Sequence, residues 1–497
     1  MQLLRKIIFY IFAVIYVSTC PLLILYAFGY IYNPQAREGY SKTGLIYLSS
    51  APSGAEIFVT GTSCDKTTPA AVRELLPGEY GVELRLEGYR PWARTVPVEE
   101  EKATVLDSVL LIPDKWQSRR ILADEFNDLV PIPKSGFFLA EEGRTPGNIH
   151  VCDYRRERAW TLIDAGSPFK EARVVDIFTE RASSMVVARV KLDRSERFLW
   201  IDFADGSNTV KDITALLPAD PDRIRWQASD ENTLYVLREN AVKKVDVSSE
   251  AVYPEFAIGV KGFGLSEDGV YLLNEDNTII EVDSDGKRLR KVLEDFDLGG
   301  MLFGRGEAFD IYVLSREFLV FTGERGQLIS NRLPYRFVPE GVRGIRFDSG
   351  TKRLLVWQKE RIGILDFTAE RTGGEGFEKG PKLAWIYSKG RDIRQCFWVY
   401  GASHILFSDG AQLKLLATES YGEFFLNEVF RVKEGTAVYY SEEAGKMYFL
   451  DSPDGALRSV EILPEKGLIK APFPEITGSK KKTKLEELWS SDSQGTT

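Results

Sequence analysis

Most of the chain repeats one pattern, two apolar strands joined by a polar turn, and this repeat limits the folds it can adopt. Between Asp114 and Glu461 the pattern occurs eight times, and its first strands begin about 43 residues apart on average. All-β units of about 40–50 residues are typical of propeller blades, in which each sheet covers the next around a ring. The sequence therefore predicts a β-propeller over residues 114–463.

The blade count rests on eight strand pairs, and eight blades are favoured over seven. The compact pair at Ile311–Phe321 leaves seven open, because it could be an irregular connection. Residues Lys115–Ala123 are expected to supply a strand that closes the ring against the last blade. The pairs are Phe137–Ala140 with Ile149–Asp153, Met185–Val190 with Phe198–Asp202, Leu234–Leu237 with Val242–Asp246, Val270–Leu273 with Ile279–Asp283, Ile311–Leu314 with Phe318–Phe321, Leu354–Trp357 with Ile362–Asp366, Ile405–Phe407 with Leu413–Leu416, and Val438–Tyr440 with Met447–Asp451.

An uncharged run over residues 7–32 precedes the repeats and predicts a transmembrane anchor in the lipid bilayer. As a helix the run would be about 39 Å long, more than the roughly 30 Å of the hydrocarbon core. A cleaved signal peptide is less favoured, because apolar residues continue to Tyr30 without a small-residue cleavage site. A lipid-modified Cys20 is less favoured again, since Thr19 and Pro21 are poor neighbours for such a site.

The basic residues on the two sides of this run only slightly favour one orientation across the membrane. Arg5 and Lys6 precede it and Arg37 and Lys42 follow it, so the basic residues nearly balance. The preceding flank also carries the α-amino charge and no acid, which favours a cytoplasmic amino terminus over residues 1–6. The bulk of the chain is then expected to be extracytoplasmic, at the cell membrane.

Residues 44–113 alternate with the period of strands between turn residues and predict a small β-sandwich after a linker over 33–43. Four turn motifs follow in order, namely Pro52-Ser53-Gly54-Ala55, Thr68-Pro69, Leu76-Pro77-Gly78-Glu79-Tyr80 and Glu87-Gly88-Tyr89. In these motifs the segment resembles the PEGA domain family, although Ser53 stands where glutamate or a similar polar residue is usual. The resemblance implies a cell-envelope β-sandwich of surface-layer and other exported proteins, without catalytic residues to carry over.

The motif residues also have a structural explanation that needs no ligand. Their glycines allow a positive φ at tight turns, and Pro77 before Gly78 predicts a type II turn. Tyr80 and Tyr89 are expected to pack across the sandwich. Carbohydrate binding by Tyr89 and Trp92 is the less favoured alternative.

Composition excludes several kinds of site. A net charge of −9 and a pI near 5.3 imply no basic face, so no nucleic-acid partner is predicted. The cysteines Cys20, Cys64, Cys152 and Cys396 form no local pair, although a disulfide among the last three stays open. Only two histidines are present, and neither has a neighbouring ligand pattern. No metal, cofactor or catalytic residue is therefore predicted.

Polar and aromatic residues of the repeats are predicted to be structural. Asp283-Ser284-Asp285-Gly286 looks like part of a calcium loop, but counting from Glu281 puts Val292 at the place of the bidentate acid, which favours a hairpin turn. Acids at strand ends are expected to cap turns, and tryptophans to pack between blades rather than bind glycans. The acids are Asp153, Asp202, Asp246, Asp283, Asp366 and Asp451, and the tryptophans are Trp160, Trp200, Trp226, Trp357, Trp385 and Trp398.

Two other segments carry weak motifs. Gly373-Gly374-Glu375-Gly376 lacks the helix and the lysine of a phosphate-binding loop, so a flexible connection is predicted. Leu463–Gly467 resembles a sortase signal only loosely, because Lys466 replaces threonine and no apolar tail follows. Residues 464–497 are expected to form a polar, disordered tail, with contact between Lys480–Lys484 and an acidic polymer or partner as the alternative.

Together these features predict an all-β chain with one N-terminal transmembrane helix, a PEGA-like sandwich and a propeller of seven or eight blades. The favoured function is a single-pass, membrane-anchored binding or scaffold module of the cell envelope, without catalysis, whose partner is an envelope protein or polysaccharide. The alternatives are a propeller enzyme acting on glycans or peptides and a structural surface-layer component. The enzyme would need two or more buried, poorly paired carboxylates in the central funnel.

Overall fold

The structure, a computed structural model, divides into two compact units, the first within residues 1–111 and the second over residues 112–462. The described residues are 2–27, 29–32, 39–132, 135–143, 148–156, 158–163, 167–178, 184–192, 195–204, 208–227, 230, 232–267, 269–293, 303, 307–316, 318–333, 335–367, 381–418, 426–452 and 454–463. Residues 33–38 of the linker, the stretch Gly373–Gly376 and the tail over 464–497 lie outside this set.

The first unit begins with the helix α1 (Gln2–Ala27). The helix ends before the uncharged run does, because Gly29 has a φ of +79° and its N–H donates to the carbonyl oxygen of Tyr26 at 2.9 Å, as at many helix C-termini. Tyr30–Tyr32 instead forms strand β1, which pairs antiparallel with β2 (Tyr40–Lys42), so a helix over all of 7–32 is wrong.

The predicted transmembrane helix is not confirmed. Within the described part of the chain, no helix combines the length and the apolar character needed to cross a membrane.

The rest of the first unit is the small sandwich. One sheet has the order β6-β3-β9, with β3 and β9 parallel, and the other has the order β5-β4-β7-β8. Alternate residues are buried, such as Ile46 and Leu48 in β3 and Val82 and Leu84 in β7, which is the period expected of strands with one face in a core. The strands are β3 (Gly44–Ala51), β4 (Glu56–Val59), β5 (Thr62–Thr67), β6 (Ala70–Leu75), β7 (Gly78–Arg85), β8 (Trp92–Val98) and β9 (Ala103–Leu110).

The second unit consists of antiparallel blades, which we number 1 to 8 in chain order. Blades 1 to 4 contain β10 (Ser118–Pro131), β11 (Phe137–Glu142), β12 (Ile149–Asp153) and β13 (Arg158–Thr161); β14 (Arg173–Phe178), β15 (Met185–Leu192), β16 (Ser195–Asp202) and β17 (Thr209–Asp212); β18 (Arg223–Trp226), β19 (Thr233–Arg238), β20 (Ala241–Asp246) and β21 (Ala251–Ile258); and β22 (Val260–Leu265), β23 (Val270–Asn274), β24 (Ile279–Val282) and β25 (Arg288–Leu293). A 3₁₀ turn over Thr214–Leu216 follows β17.

Blades 5 to 8 continue in the same way. They contain β26 (Phe309–Val313), β27 (Leu319–Gly323), β28 (Leu328–Ser330) and β29 (Arg336–Val338); β30 (Val342–Asp348), β31 (Arg353–Gln358), β32 (Ile362–Asp366) and β33 (Leu383–Tyr387); β34 (Ile393–Val399), β35 (His404–Asp409), β36 (Gln412–Ala417) and β37 (Leu426–Arg431); and β38 (Tyr439–Ser441), β39 (Lys446–Leu450) and β40 (Ala456–Glu461). Blade 5 is a complete four-stranded sheet, so the alternative of an irregular connection at Ile311–Phe321 is wrong.

The long strand β10 closes the ring. Its beginning pairs with the last strand, Ser118 opposite Val460, and its end pairs with β11, Leu129 opposite Ala140. It therefore completes blade 8 and starts blade 1, and the two blades form one seven-stranded sheet. Within the described residues the closing strand is present as predicted, and the sheets number eight blades.

Apolar clusters join successive blades. Each cluster combines residues of two neighbours, including blade 8 with blade 1 through Tyr448 and Phe138, and Phe430 of blade 7 stacks on Phe449 of blade 8 at 5.6 Å. Because a blade is covered on both faces, middle strands such as β19 and β31 are almost continuously apolar. All six tryptophans named above belong to these clusters, which confirms that they pack between blades.

Candidate functional site

The first motif of the sandwich is held by a buried threonine. The Thr68 hydroxyl accepts the N–H of Ala55 at 3.0 Å and lies 2.6 Å from the Ser50 hydroxyl, which donates to the carbonyl oxygen of Pro52 at 2.6 Å. The N–H of Gly54, whose φ is +92°, donates to the Thr68 carbonyl at 2.8 Å. Ser53 is exposed and outside this network. The motif therefore joins two turns of the sandwich and presents no reactive group.

The remaining motif residues also hold turns. Gly78 has a φ of +156°, far from the roughly +80° of a type II turn, because it already begins strand β7, so the type II prediction at Pro77 is wrong. The Tyr80 hydroxyl donates to the Leu76 carbonyl at 2.9 Å, which ties the half-buried ring to its own turn.

The last motif forms the turn before strand β8. Gly88 has a φ of +80°, and the N–H of Tyr89, which is half-buried, donates to the Leu86 carbonyl at 3.1 Å. Trp92 is only 8% exposed and belongs to the core. A carbohydrate-binding face built on Tyr89 and Trp92 is therefore not formed, because the indole has no open surface to stack on a sugar.

The acids at strand ends cap turns as predicted. The Asp246 carboxylate accepts the N–H groups of Ser248 and Ser249 at 2.8 and 3.0 Å, and Asp153, Asp202 and Asp451 accept backbone N–H groups within three residues in the same way. These bonds lower the pKa of Asp246, first through the Ser248 hydroxyl. Asp366 differs, since it pairs with Arg353 across the strands. Because these carboxylates recur at equivalent strand ends and already have hydrogen-bond or ion-pair partners, their role is structural.

The calcium-like sequence is a hairpin turn, which confirms the prediction. The Asp283 carboxylate accepts the N–H groups of Asp285 and Lys287 at 3.0 and 2.8 Å. Glu281, the first position of the supposed loop, is fully buried in β24 and forms an ion pair with Arg290. Its carboxylate is thus held by arginines rather than offered to a metal ion in the turn.

All four cysteines are free thiols, so the disulfide alternative is wrong. Burial raises the pKa of Cys152 and of Cys396 well above the ordinary range, which makes both unreactive at neutral pH. Across the described ranges, no cluster of three or more His, Cys, Asp or Glu side chains could hold a metal ion.

A groove of about 500 Å³ lies between blades 3 and 4. One wall is β21, the outer edge strand of blade 3, through Phe256 and Ile258, and the other is blade 4, through Leu272 and Ile280. The floor belongs to the apolar cluster between these blades, while Ile258 is 67% exposed at the opening. An open apolar groove beside an unpaired strand edge suits an extended polypeptide or a flat polymer.

The rim of the groove is polar and includes Glu275, Asp276 and Arg288. The Asp276 carboxylate accepts the N–H of Thr278 at 2.9 Å, and behind the rim Lys261 donates to the Asn277 side chain at 2.5 Å. Burial lowers the pKa of Lys261, although Glu275 and Asp276 oppose this. At one end the hairpin turn meets the groove, since a Cβ added at Gly286 would be 3.3 Å from the Phe256 carbonyl oxygen. Sequence reasoning missed this groove because its residues come from several strands.

The first strands of the blades line a central channel, because successive blades contact each other through them, as β22 with β26 and β30 with β34 do. Asp310 of β26 pairs with Arg223 and, at 2.8 Å, with Arg225 of β18, across the intervening strand β22. This reach depends on Gly262 and Gly264 of β22, where an added Cβ would be 2.2 Å from the Phe309 carbonyl oxygen and 2.8 Å from Ile311.

A second pair of arginines holds another aspartate where blades 6 and 7 meet. Arg343 of β30 donates to Asp392 at 2.6 Å and Arg394 donates to it at 2.8 Å. These bonds lower the pKa of Asp392. The channel carboxylates Asp310 and Asp392 are therefore both neutralised. The glycines within Lys261–Leu265, unusual inside a strand, were the one sequence signal for this close packing.

Comparison with known proteins gives a family match for the small sandwich and similar solved structures for the chain. Residues 43–111 match the PEGA domain family, so the small sandwich is a PEGA domain. Among solved structures, the chain is similar to the Cps50 (Swd1) β-propeller domain of Myceliophteria thermophila, with 9% identity, 70% of this chain and 99% of that chain covered, and a TM-score of 0.39. It is also similar to the Dos1 propeller, with 14% identity, coverage of 70% and 95%, and a TM-score of 0.43. No curated protein matches the sequence.

Proposed function

We propose that this chain is a membrane-attached binding or scaffold module of the cell envelope, whose propeller binds an envelope protein or polysaccharide in the groove between blades 3 and 4. The groove carries the proposal, since it offers an apolar floor of Leu272 and Ile280, an exposed edge strand and a polar rim in one place. The PEGA domain is consistent with this location, because the family occurs in exported envelope proteins.

The channel carboxylates support binding over catalysis. A general acid or base must exchange its proton near neutral pH, and glycosidases use two carboxyl groups in differently tuned surroundings. Asp310 and Asp392 are each paired with two arginines, and the pKa of Asp392 is lowered. Asp392 is thus held as a carboxylate, and Asp310 is balanced by its two arginines, so neither resembles a carboxyl group tuned to donate a proton.

Membrane attachment through α1 is part of the proposal. Apolar side chains are exposed around the helix, among them Phe9, Phe12, Tyr16 and Val17, each more than two-thirds exposed. Exposed apolar surface of this extent marks a contact with lipid or with another protein. The location proposed is the outer surface of the cell membrane, with both β units outside the cell.

A site-specific photocrosslinker tests the groove. Incorporated at Ile258 in cells expressing the full chain, it is expected to give a discrete adduct whose mass defines the partner. The matched control position is Leu426, which is 39% exposed on the outer strand of blade 7. Equal adducts at both positions, or none at Ile258, would reject the groove as the binding surface.

Charged substitutions in α1 test attachment separately. The variant Phe12→Asp with Tyr16→Asp is expected to release the chain from membranes during carbonate extraction, because each carboxylate opposes burial in lipid. Tyr253→Asp on β21 is the control and is expected to stay with the membrane. Protease added to intact cells then reads the orientation, since protection of the propeller would reverse it.

A further inference from the structure

Arg346 of β30 differs from four other arginines of the channel in having no carboxylate partner among the described residues. Arg223, Arg225, Arg343 and Arg394 are all held by aspartates. Arg346 forms no ion pair with any side chain in the described ranges, and its guanidinium instead lies over the ring of Phe397, 4.2 Å from the centroid. Its charge is therefore not balanced by a carboxylate.

The side chain of Arg346 is exposed to solvent, yet many protein atoms surround it. Burial lowers the pKa of its guanidinium, which is the effect of many protein atoms around a group that still faces solvent. Both properties hold together on the wall of a narrow channel and not on a convex outer surface. The solvent in such a channel screens a charge less well than bulk water does.

The groups nearest Arg346 do not supply the missing negative charge. Cys396 and Tyr439 are the titratable side chains that interact with it. Burial raises the pKa of Cys396 well above its ordinary value and raises that of Tyr439 as well, where Tyr154 adds to the effect. Both are therefore neutral at neutral pH. The guanidinium remains an uncompensated cation within the fold.

We propose that the central channel contains an oxyanion-binding site at Arg346, which takes the carboxylate or phosphate group of a small ligand. A guanidinium presents its N–H groups as a planar fork that fits either group with two parallel hydrogen bonds. Contact of one face with Phe397 fixes the plane and leaves the N–H edges free for the ligand. An unpaired charge in a confined site is costly, and a bound anion removes that cost.

Anion titrations of the purified full chain test this site. Inorganic phosphate and acetate are titrated separately against chloride at constant ionic strength, and binding is followed by calorimetry and by the thermal midpoint. At least one of the two is expected to bind saturably with one site per chain. Binding of phosphate alone identifies a phosphoryl ligand, and binding of acetate alone identifies a carboxylate.

Variants assign the binding to this residue. Arg346→Gln is expected to weaken the affinity about tenfold or more, as the loss of hydrogen bonds to a charged group predicts, and Arg346→Lys to weaken it less because the charge remains. Arg343→Gln, on the same strand but paired with Asp392, is expected to leave the affinity unchanged. Absence of saturable binding, or equal binding by Arg346→Gln, would overturn the proposal.

The thermal midpoint of Arg346→Gln shows whether the variant still folds. Arg346→Gln removes an unpaired cation, so its thermal midpoint in chloride is not expected to fall. The site is also independent of the groove, and Arg346→Gln is expected to leave the Ile258 crosslink intact. Failure of one proposal can therefore be distinguished from failure of the other.

Discussion

Two interfaces between neighbouring blades are packed in different ways. One lies between blades 4 and 5, and the other lies between blades 6 and 7. In the first, glycines let two backbones approach, so that Gly262 lies against the Phe309 carbonyl oxygen. In the second, Gly344 makes room for an indole, and Trp357 and Trp398 each donate a hydrogen bond to the other blade, to the carbonyl oxygens of Arg394 and Arg346 at 3.0 and 3.1 Å.

The difference shows what kind of change each interface can absorb. A backbone contact such as that of Gly262 has no side chain that could move aside, whereas the indole beside Gly344 can turn about its side-chain torsions without parting the strands. Blades 6 and 7 also carry the ion pairs of Asp392 and Asp409. We therefore expect the first interface to respond to volume and the second to respond to pH as well.

The largest expected effect is that of Gly262→Ala. The new Cβ would be 2.2 Å from the Phe309 carbonyl oxygen, so the strands must separate, at a cost of about 3 kcal/mol or more. Gly344→Ala, whose Cβ would be 2.2 Å from the Trp357 ring, should cost less, about 1–2 kcal/mol. Urea unfolding followed by tryptophan fluorescence compares the two. Equal losses would remove the distinction between the interfaces.

The next largest loss of stability is expected when Asp310 is removed, because its ion pairs join blade 5 to blade 3 across blade 4. Asp310→Ala leaves Arg223 and Arg225 without this partner, and Arg225 is well buried at 11% side-chain exposure. Loss of two ion pairs at partly buried arginines should cost about 2 kcal/mol. Hydrogen exchange of the β18 and β26 peptides is expected to rise. Unchanged exchange in both strands would show that the pair does not hold these blades together.

A smaller effect is expected at the indole of blade 7. Trp398→Phe keeps most of the packing but leaves the Arg346 carbonyl oxygen without its indole donor, at a cost of about 1–2 kcal/mol. The urea midpoint is the measurement, and Trp226→Phe is the control, since that buried indole packs between blades 2 and 3 instead. An equal loss in both variants would mean that packing alone matters.

Much of the fold was predictable because blades repeat. The alternation of apolar strands and the spacing of acids predicted eight sheets and the capped turns, and each of these depends on residues near one another in sequence. The PEGA turns were predicted for the same reason, apart from the φ of Gly78. The closing strand pairs residues far apart in sequence, such as Ser118 with Val460, and was predicted because a propeller ring must close its edge strands. Local patterns were sufficient for local structure.

The candidate sites were not predictable in this way. The groove combines β21 with strands of the next blade, and Asp310 pairs with arginines more than eighty residues away. Neither partner carries a signal of the other in a single sequence. The end of α1 was missed because hydropathy continues through Tyr30 while Gly29 already ends the helix.

The smallest expected effect is a loss of stability at acidic pH, which should occur at the interface of blades 6 and 7 and not at that of blades 4 and 5. Asp409 of β35 is buried, and burial alone would raise its pKa, but Lys414 and the N–H groups of Asp392 and Arg391 lower it below the ordinary value. A carboxylate whose pKa is lower in the folded chain stabilises the fold above its unfolded pKa of about 3.9, and this stability is lost as the pH falls through the folded pKa. Hydrogen exchange in β34 and β35 should therefore increase below about pH 4, while exchange in β22, whose contact with the next blade is made by glycines and backbone, changes less.

Asp409→Asn tests the cause of this pH dependence. The amide keeps the shape but not the charge, so the variant is expected to be less stable by about 1–2 kcal/mol at neutral pH, through the lost pairing with Lys414. It should also lose the acid-dependent step in β34 and β35, because no group remains there to take up the proton. If that step persisted in the variant, another carboxylate would be responsible, and Asp392, held by Arg343 and Arg394, would be the next to substitute.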